Sequence, residues 1–133
     1  MADISKETVQ QFQVREQRAW QRRAVVILAE LLEQGERGDL PVLTWEIGHS
    51  GAHIIGRAVV HPTSARRERI EAWGQALGIE LREHPGAGTT TITGVAKQRR
   101  TKHGLATIVL TCDIYADDEH EQAGDSGTRA GTA

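Results

Sequence analysis

The 133-residue sequence has one cysteine, only 4% aromatic residues and no long apolar run. The single Cys112 excludes an internal disulfide framework and a zinc site built from several cysteines. No apolar run approaches the ~20 residues that a membrane-spanning helix needs, and residues 1–13 lack the apolar segment of a secretory signal. These absences predict a cytoplasmic protein that does not interact with a membrane. The length fits one domain.

Charge is divided unevenly along the chain, although the formal net charge is only −2. Residues 116–133 carry five acidic side chains and one arginine, which leaves a net charge of +2 for residues 1–115. This last segment has no large apolar residue, so burial cannot offset the entropy cost of ordering it. We therefore predict a single domain over residues 1–115 and an acidic disordered tail over residues 116–133.

Hydrophobic periodicity predicts two helices and two pairs of strands. The helices are expected at 6–34 and 64–77, and the strands at 40–48, 53–60, 89–97 and 104–115. Ile79 and Leu81 suggest a further short edge strand, and residues 84–88 are expected to form a loop. The predicted fold is α+β: a long N-terminal helix followed by a ββαββ unit, with a four-stranded antiparallel sheet and both helices packed on one of its faces.

Three tryptophans supply much of the aromatic content, and one lies on each of the first three predicted elements. Alternation and helical spacing direct Trp45 and Trp73 towards the core, where a ligand pocket between helix and sheet is one open alternative. Trp20 lies where the apolar stripe of the first helix changes from sparse to dense. If Trp20 is exposed, it is a candidate interface anchor, with Arg22 and Arg23 beside it as a polar rim.

A basic segment joins the last two predicted strands, and no acidic residue occurs between His84 and Cys112. A projecting basic hairpin loop suits contact with phosphates, which favours nucleic acid or another polyanion. The alternative is a solvated loop that keeps the hairpin from aggregating. The candidate polyanion-binding residues are Lys97, Arg99, Arg100, Lys102 and His103.

Motifs for catalysis or metal binding are missing from the sequence. His49 and His53 are four residues apart but fall in a predicted turn, and neither HExxH nor CxxC occurs. Cys112 lies on the apolar face of a predicted strand and is expected to be a small core residue. We therefore predict a protein that is not an enzyme and binds no metal or cofactor.

Three short pieces, W-E-I-G at 45–48, G-R-A at 56–58 and E-A-W-x-x-A-L-G at 71–78, carry a family resemblance. Over residues 40–115 the pattern resembles small, uncharacterised actinobacterial proteins in which a long helix precedes a ββ-helix-ββ unit. The resemblance implies the α+β fold but no established activity, and it assigns no site residue.

The leading functional hypothesis is a non-enzymatic protein-interaction module with a regulatory or accessory role. It is expected to form a homodimer through the long first helix or an exposed sheet edge, and the uncovered face of the sheet offers a surface for a protein partner. The alternative is a nucleic-acid-binding accessory or regulatory protein that uses the basic hairpin at 97–103.

Overall fold

The computed structural model describes residues 5–48 and 52–118. The chain is α+β, as predicted, with a long helix at its N-terminal end. Its elements are helix α1 (Lys6–Arg37), strands β1 (Thr44–Ile47) and β2 (His53–Arg57), a 3-10 turn (Thr63–Ala65), helix α2 (Arg66–Leu77), and strands β3 (Arg82–Pro85), β4 (Thr89–Thr101) and β5 (Gly104–Tyr115).

The sheet has five strands in the order β1-β2-β5-β4-β3, and it is mixed rather than antiparallel. The prediction of four antiparallel strands was wrong in strand number and in one pairing. β2 pairs with β5 in parallel, whereas the other three neighbouring pairs are antiparallel. The chain leaves β2, crosses the sheet through α2 and reaches the far edge at β3, which leaves the place beside β2 to β5.

The fifth strand lies later in the sequence than the pattern of Ile79 and Leu81 suggested. β3 occupies Arg82–Pro85, so its last two residues lie in the segment 84–88 that was predicted to be a loop. The two apolar residues instead cover Gly94 of β4, where an added β-carbon would stand 2.7 Å from Ile79, from Leu81 and from the backbone of Glu80. This close approach leaves no room for a side chain at position 94.

Helix α1 begins at the predicted residue and extends one turn further than predicted. The hydroxyl of Ser5 accepts a hydrogen bond from the backbone N–H of Thr8 at 3.1 Å and caps the helix. Gly35 and Gly38 were both predicted to end the helix: Gly38 does follow its last residue, whereas Gly35 lies inside it. A glycine is required at position 35 because an added β-carbon would stand 2.8 Å from the ring of Trp73.

The core lies between the two helices and one face of the sheet, which we call the inner face. Alternate residues of the central strands point into it, as their burial shows. α1 contributes its C-terminal half, and α2 contributes a row of apolar side chains that recur at helical spacing from Ile70 to Leu77. The buried side chains include Ala24, Ile27 and Leu31 of α1, Ile70, Trp73 and Leu77 of α2, Ile54 of β2, Ile92 of β4, and Ile108, Leu110, Cys112 and Ile114 of β5.

The rings of Trp45 and Trp73 pack against each other edge to face, with their centroids 5.2 Å apart. The indole N–H of Trp73 donates a hydrogen bond to the carbonyl oxygen of Pro41 at 2.6 Å. Gly35 and Gly56 lie against these rings at contact distance. The two tryptophans therefore fill the space in which the sequence had suggested a ligand pocket.

Arg66 is only 8% exposed at the start of α2, although arginine side chains are mostly exposed in folded proteins. Its guanidinium donates hydrogen bonds to the carbonyl oxygens of Val59, Val60 and Asp113. These bonds tie α2 to the end of β5 and to the segment after β2. Burial of this arginine is possible because its donors are paired with backbone acceptors.

Thr63 connects the beginning of α2 to the end of the described chain. Its hydroxyl accepts a hydrogen bond from the backbone N–H of Tyr115 at 2.9 Å, and α2 begins without a capping hydrogen bond from a side chain. Its own N–H donates to the carboxylate of Asp118 at 3.0 Å. Residues 116–118 thus contact the domain, and the rest of the predicted acidic tail, 119–133, lies outside the described residues.

Candidate functional site

A β-bulge in β4 decides where the basic side chains of the β4–β5 hairpin lie. The register shifts between Ala96 and Arg99, so that Lys97 and Gln98 both face Thr107 of β5. Gln98 has a φ of 46°, and its N–H donates to the hydroxyl of Thr107 at 3.2 Å. The predicted loop at 97–104 was therefore wrong: β4 continues to Thr101, and the turn is only Lys102 and His103.

Because of the bulge, Arg99 lies on the inner face of the sheet. It pairs with Ala106, which is buried, and its guanidinium donates a hydrogen bond to the carbonyl oxygen of Leu77. Leu77 is the last residue of α2, where carbonyl groups lack partners within the helix and a positive charge is favourable. Arg99 therefore joins the hairpin to α2.

The cations of the turn also find a partner within the chain. The ammonium group of Lys102 lies 2.6 Å from the carboxylate of Glu30 of α1, and Nε2 of His103 lies 3.3 Å from the same oxygen. The stretch without acidic residues is therefore partly neutralised by a helix that is distant in sequence. A projecting loop was expected, but the turn is tethered to α1.

Lys97 and Arg100 remain exposed, and no ion pair is recorded for either among residues 5–48 and 52–118. Arg100 pairs with Leu105, whose side chain points to the outer face of the sheet. Lys97 faces Thr107, which belongs to the same face. The five candidate polyanion-binding residues are thus separated into three that make contacts within the chain and two that lie on the outer face.

The candidate interface residues of α1 lie where this helix leaves the sheet. Trp20 is partly buried and lines a small cleft of about 180 Å³ with Arg23, His53 and Leu105. Arg23 lies over the hairpin turn, since a β-carbon at Gly104 would stand 3.1 Å from its Cδ. Arg22 is exposed on the opposite side of the helix. The structure therefore brings Trp20 and Arg23 together and separates them from Arg22.

The outer face of the sheet is covered by no helix of the described chain. Its centre is apolar and rich in threonine, and the hydroxyls of Thr93 and Thr111 are hydrogen-bonded to each other at 3.0 Å. An ion pair between Arg57 and Glu46, 3.3 Å apart, borders this centre on the side of β1. The exposed apolar residues of this face include Val95, Leu105 and Tyr115.

Helix α1 exposes a second apolar surface on the side opposite the core. Val25, Val26 and Leu32 are 55%, 43% and 51% exposed, although their neighbours Ala24, Ile27 and Leu31 are buried. Helical spacing places the three exposed residues on one side of α1. Basic residues precede them on this side, and acidic residues follow them. We call this side the back face; its exposed residues are Arg15, Arg18, Arg22, Val25, Val26, Ala29, Leu32, Glu33 and Glu36.

The N-terminal half of α1 extends beyond the body of the protein. The first buried residue of the helix is Ala24, about 18 residues after its start, which corresponds to roughly 27 Å of helix. Val9 and Phe12 are 42% and 60% exposed on this segment. Most of the contact that fixes α1 therefore comes from its second half.

The back face was missed in the sequence, although one signal indicated it. The run AVVILAELL (24–32) is apolar around nearly the whole helix, whereas a helix that packs against one sheet needs only one apolar stripe. Its dense apolar spacing predicts that the C-terminal half of the helix packs as core. Within the run, Ala24, Ile27 and Leu31 are buried, whereas Val25, Val26 and Leu32 are exposed. Only one side of this part of α1 therefore belongs to the core.

Within the described residues, the side chains that could bind a metal ion are dispersed, and the one cysteine is buried. Burial raises the pKa of the Cys112 thiol to about 11, which keeps it protonated at neutral pH. Among residues 5–48 and 52–118, no three His, Cys, Asp or Glu side chains lie close enough together to hold a metal ion. His49, one of the histidines considered from the sequence, lies outside the described residues.

Comparison with known proteins adds no relative from which a role could be transferred. Within the described part of the chain, no helix has an apolar stretch long enough to cross a bilayer. The resemblance to actinobacterial proteins remains a prediction from the sequence. No family model, curated protein or solved structure matches this chain.

Proposed function

We propose that this protein is a non-enzymatic interaction module that works as a homodimer in a regulatory or accessory role, with α1 as its contact element. The observation that carries the proposal is the back face of α1, where Val25, Val26 and Leu32 are each more than two-fifths exposed. Three large apolar side chains on two turns of helix form a contiguous patch, and such patches are typical of interfaces. A second copy offers the same patch, as a two-fold interface requires.

The sheet edges, the other dimer surface considered from the sequence, are poorly suited to pairing. The two edge strands, β1 and β3, have four residues each, and β3 combines charged residues with Pro85. Beyond β3, the free side of β4 contains the bulge and the basic residues that follow it. Short strands, bulges, charges and proline all oppose strand addition. These features favour the helix as the contact element.

The proposal is tested by the molar mass in solution, measured by light scattering on a sizing column at micromolar concentration. We expect the unmodified protein to be a dimer and the double variant Val25→Gln/Leu32→Gln to be a monomer with unchanged helix content. Glutamine keeps a favourable helix propensity, so loss of the dimer would not reflect loss of the helix. Val42→Gln is the matched control, because Val42 is 88% exposed outside α1. A monomeric unmodified protein would refute the proposal.

A cytoplasmic setting is part of the same proposal. The single Cys112 is buried and has no thiol partner within the chain, so the fold needs no oxidising compartment.

Nucleic-acid binding is the second candidate, supported by the two exposed cations on the outer face. Lys97 and Arg100 lie on the same face and are available for phosphate contacts. The test is salt-dependent binding to a DNA duplex, which should weaken in Lys97→Ala/Arg100→Ala if these residues contact phosphates. Equal affinity for the variant and the unmodified protein would eliminate this candidate.

A further inference from the structure

The charges on the back face of α1 are arranged in two blocks that flank its apolar centre. Arg15, Arg18 and Arg22 are exposed before Val25, and Glu33 and Glu36 are exposed after Leu32. The centre of the basic block and the centre of the acidic block are about equally far, in turns of helix, from the segment 25–29. The back face therefore has a positive end, an apolar centre and a negative end.

The acidic block lies where an isolated helix would not favour it. Carbonyl groups at the C-terminal end of a helix give that end a partial negative charge, which disfavours nearby carboxylates. Glu36 nonetheless occupies the last turn of α1, and Glu33 the turn before it. Neither carboxylate has a recorded ion pair among the described residues. Arg37, which also lies in the last turn, offsets part of this negative charge, and a cationic partner from outside the described chain would offset more of it.

From this arrangement, and resting on the proposed homodimer, we infer that two copies pair their α1 helices antiparallel through the back face, so that the basic block of each copy lies beside the acidic block of the other. A two-fold axis near the segment 25–29 brings Val25, Val26, Ala29 and Leu32 of both copies together. It also places the Arg15–Arg22 segment of one copy along the Glu33–Glu36 segment of its partner.

The parallel arrangement is disfavoured by the same charges. Two parallel helices in register would place each basic block beside the identical basic block and each acidic block beside the identical acidic block. Juxtaposed like charges at an interface oppose association. The charges on the back face therefore favour antiparallel helices over parallel ones. A second copy of this chain is therefore the occupant that the back face fits.

The decisive experiment reverses one block at a time. Arg18→Glu/Arg22→Glu makes the back face largely acidic, and Glu33→Arg/Glu36→Arg makes it basic throughout. We expect each double variant alone to lose homodimer affinity at least about tenfold, because antiparallel pairing would then oppose like charges. An equimolar mixture of the two variants should form a one-to-one heterodimer, which native mass spectrometry detects by its intermediate mass.

A matched control carries the same change in net charge away from α1. Glu68→Arg/Glu71→Arg reverses two exposed carboxylates of α2 and should leave the homodimer affinity within about twofold of the unmodified protein. Circular dichroism on each variant checks that helix content is retained, which is expected because all six positions are exposed.

The outcomes separate this inference from the proposed function. If the unmodified protein is a dimer and the double variants homodimerise with unchanged affinity, the antiparallel arrangement is wrong while the homodimer stands. Parallel helices would give that result, because reversing one block replaces one like-charge contact with another. If the unmodified protein is a monomer, both proposals fail.

Discussion

The guanidinium of Arg99 donates a hydrogen bond to the carbonyl oxygen of Leu77, the last residue of α2. A side chain that the sequence assigned to an exposed basic loop thus joins the end of a helix to the sheet. Arg100, the next residue, points to the outer face, and its side chain has no comparable hydrogen bond among residues 5–48 and 52–118. Two adjacent arginines therefore have different roles.

This difference predicts different effects on stability. Arg99→Ala should lower the free energy of unfolding by about 1–2 kcal/mol, because a helix-terminal carbonyl loses a charged donor. Arg100→Ala should change it by less than about 0.5 kcal/mol, as is usual at an exposed position. Urea denaturation of both variants measures the difference. Equal effects of the two substitutions would contradict the position assigned to Arg99.

The tryptophan pair predicts a strict requirement for glycine at position 56. An added β-carbon there would stand 2.7 Å from the ring of Trp45, which is held against Trp73 and has little room to move. Gly56→Ala should destabilise the protein by about 1–3 kcal/mol, the usual range for overpacking. It should also alter the near-ultraviolet circular dichroism of the tryptophans.

The control for this substitution is Gly38→Ala. Gly38 has a φ of −91°, which alanine adopts without strain, and the nearest atom to an added β-carbon is the carbonyl oxygen of Gln34 at 3.3 Å. Its effect on stability should be clearly smaller than that of Gly56→Ala. If Gly56→Ala is as stable as this control, the packing of the tryptophan pair is wrong.

The contact between Asp118 and Thr63 predicts a dependence of stability on pH. Hydrogen bonds from the side chain and the backbone N–H of Thr63 hold the pKa of Asp118 below its ordinary value of 3.8. A carboxyl group with a lowered pKa in the folded state contributes stability above its unfolded pKa and loses it as the pH falls through the folded pKa. Asp118→Asn should therefore make unfolding less sensitive to pH below about 4.

Urea denaturation at several pH values between about 2 and 6 tests this effect. Asp117→Asn removes the same charge from the neighbouring exposed residue and should keep the pH dependence of the unmodified protein. A steep dependence that persists in Asp118→Asn would show that this carboxylate is not the group responsible.

Much of the fold follows from local patterns. The hydrophobic periods of α1 and α2 and the strict alternation of β5 predict these elements and their buried faces, including Ile70, Trp73 and Cys112. The order of the strands did not follow, because pairing partners depend on the path of the chain between strands. The parallel pair β2–β5 arises from the α2 crossover, which has no signature in either strand.

The site was harder to predict for a related reason. A register shift of β4 at Lys97 and Gln98 reverses which later residues face the core, and nothing in the local sequence KQRRTKHG marks the bulge. Glu30, which pairs with the hairpin turn, is about 70 residues earlier in the chain. Tertiary packing therefore decides which of the clustered basic side chains are exposed and which are paired within the protein.

The central claim is that two copies meet through the back face of α1, and disulfide crosslinking tests it most directly. Ala29→Cys lies near the proposed two-fold axis and should give a covalent dimer under mild oxidation. Gln11→Cys lies on the same side of α1, one turn before the back face begins, but its two copies would be about 50 Å apart in antiparallel helices, so it should remain uncrosslinked. Native Cys112 is buried and should not react. Crosslinking at position 11 but not at 29, or at neither position, would contradict the account.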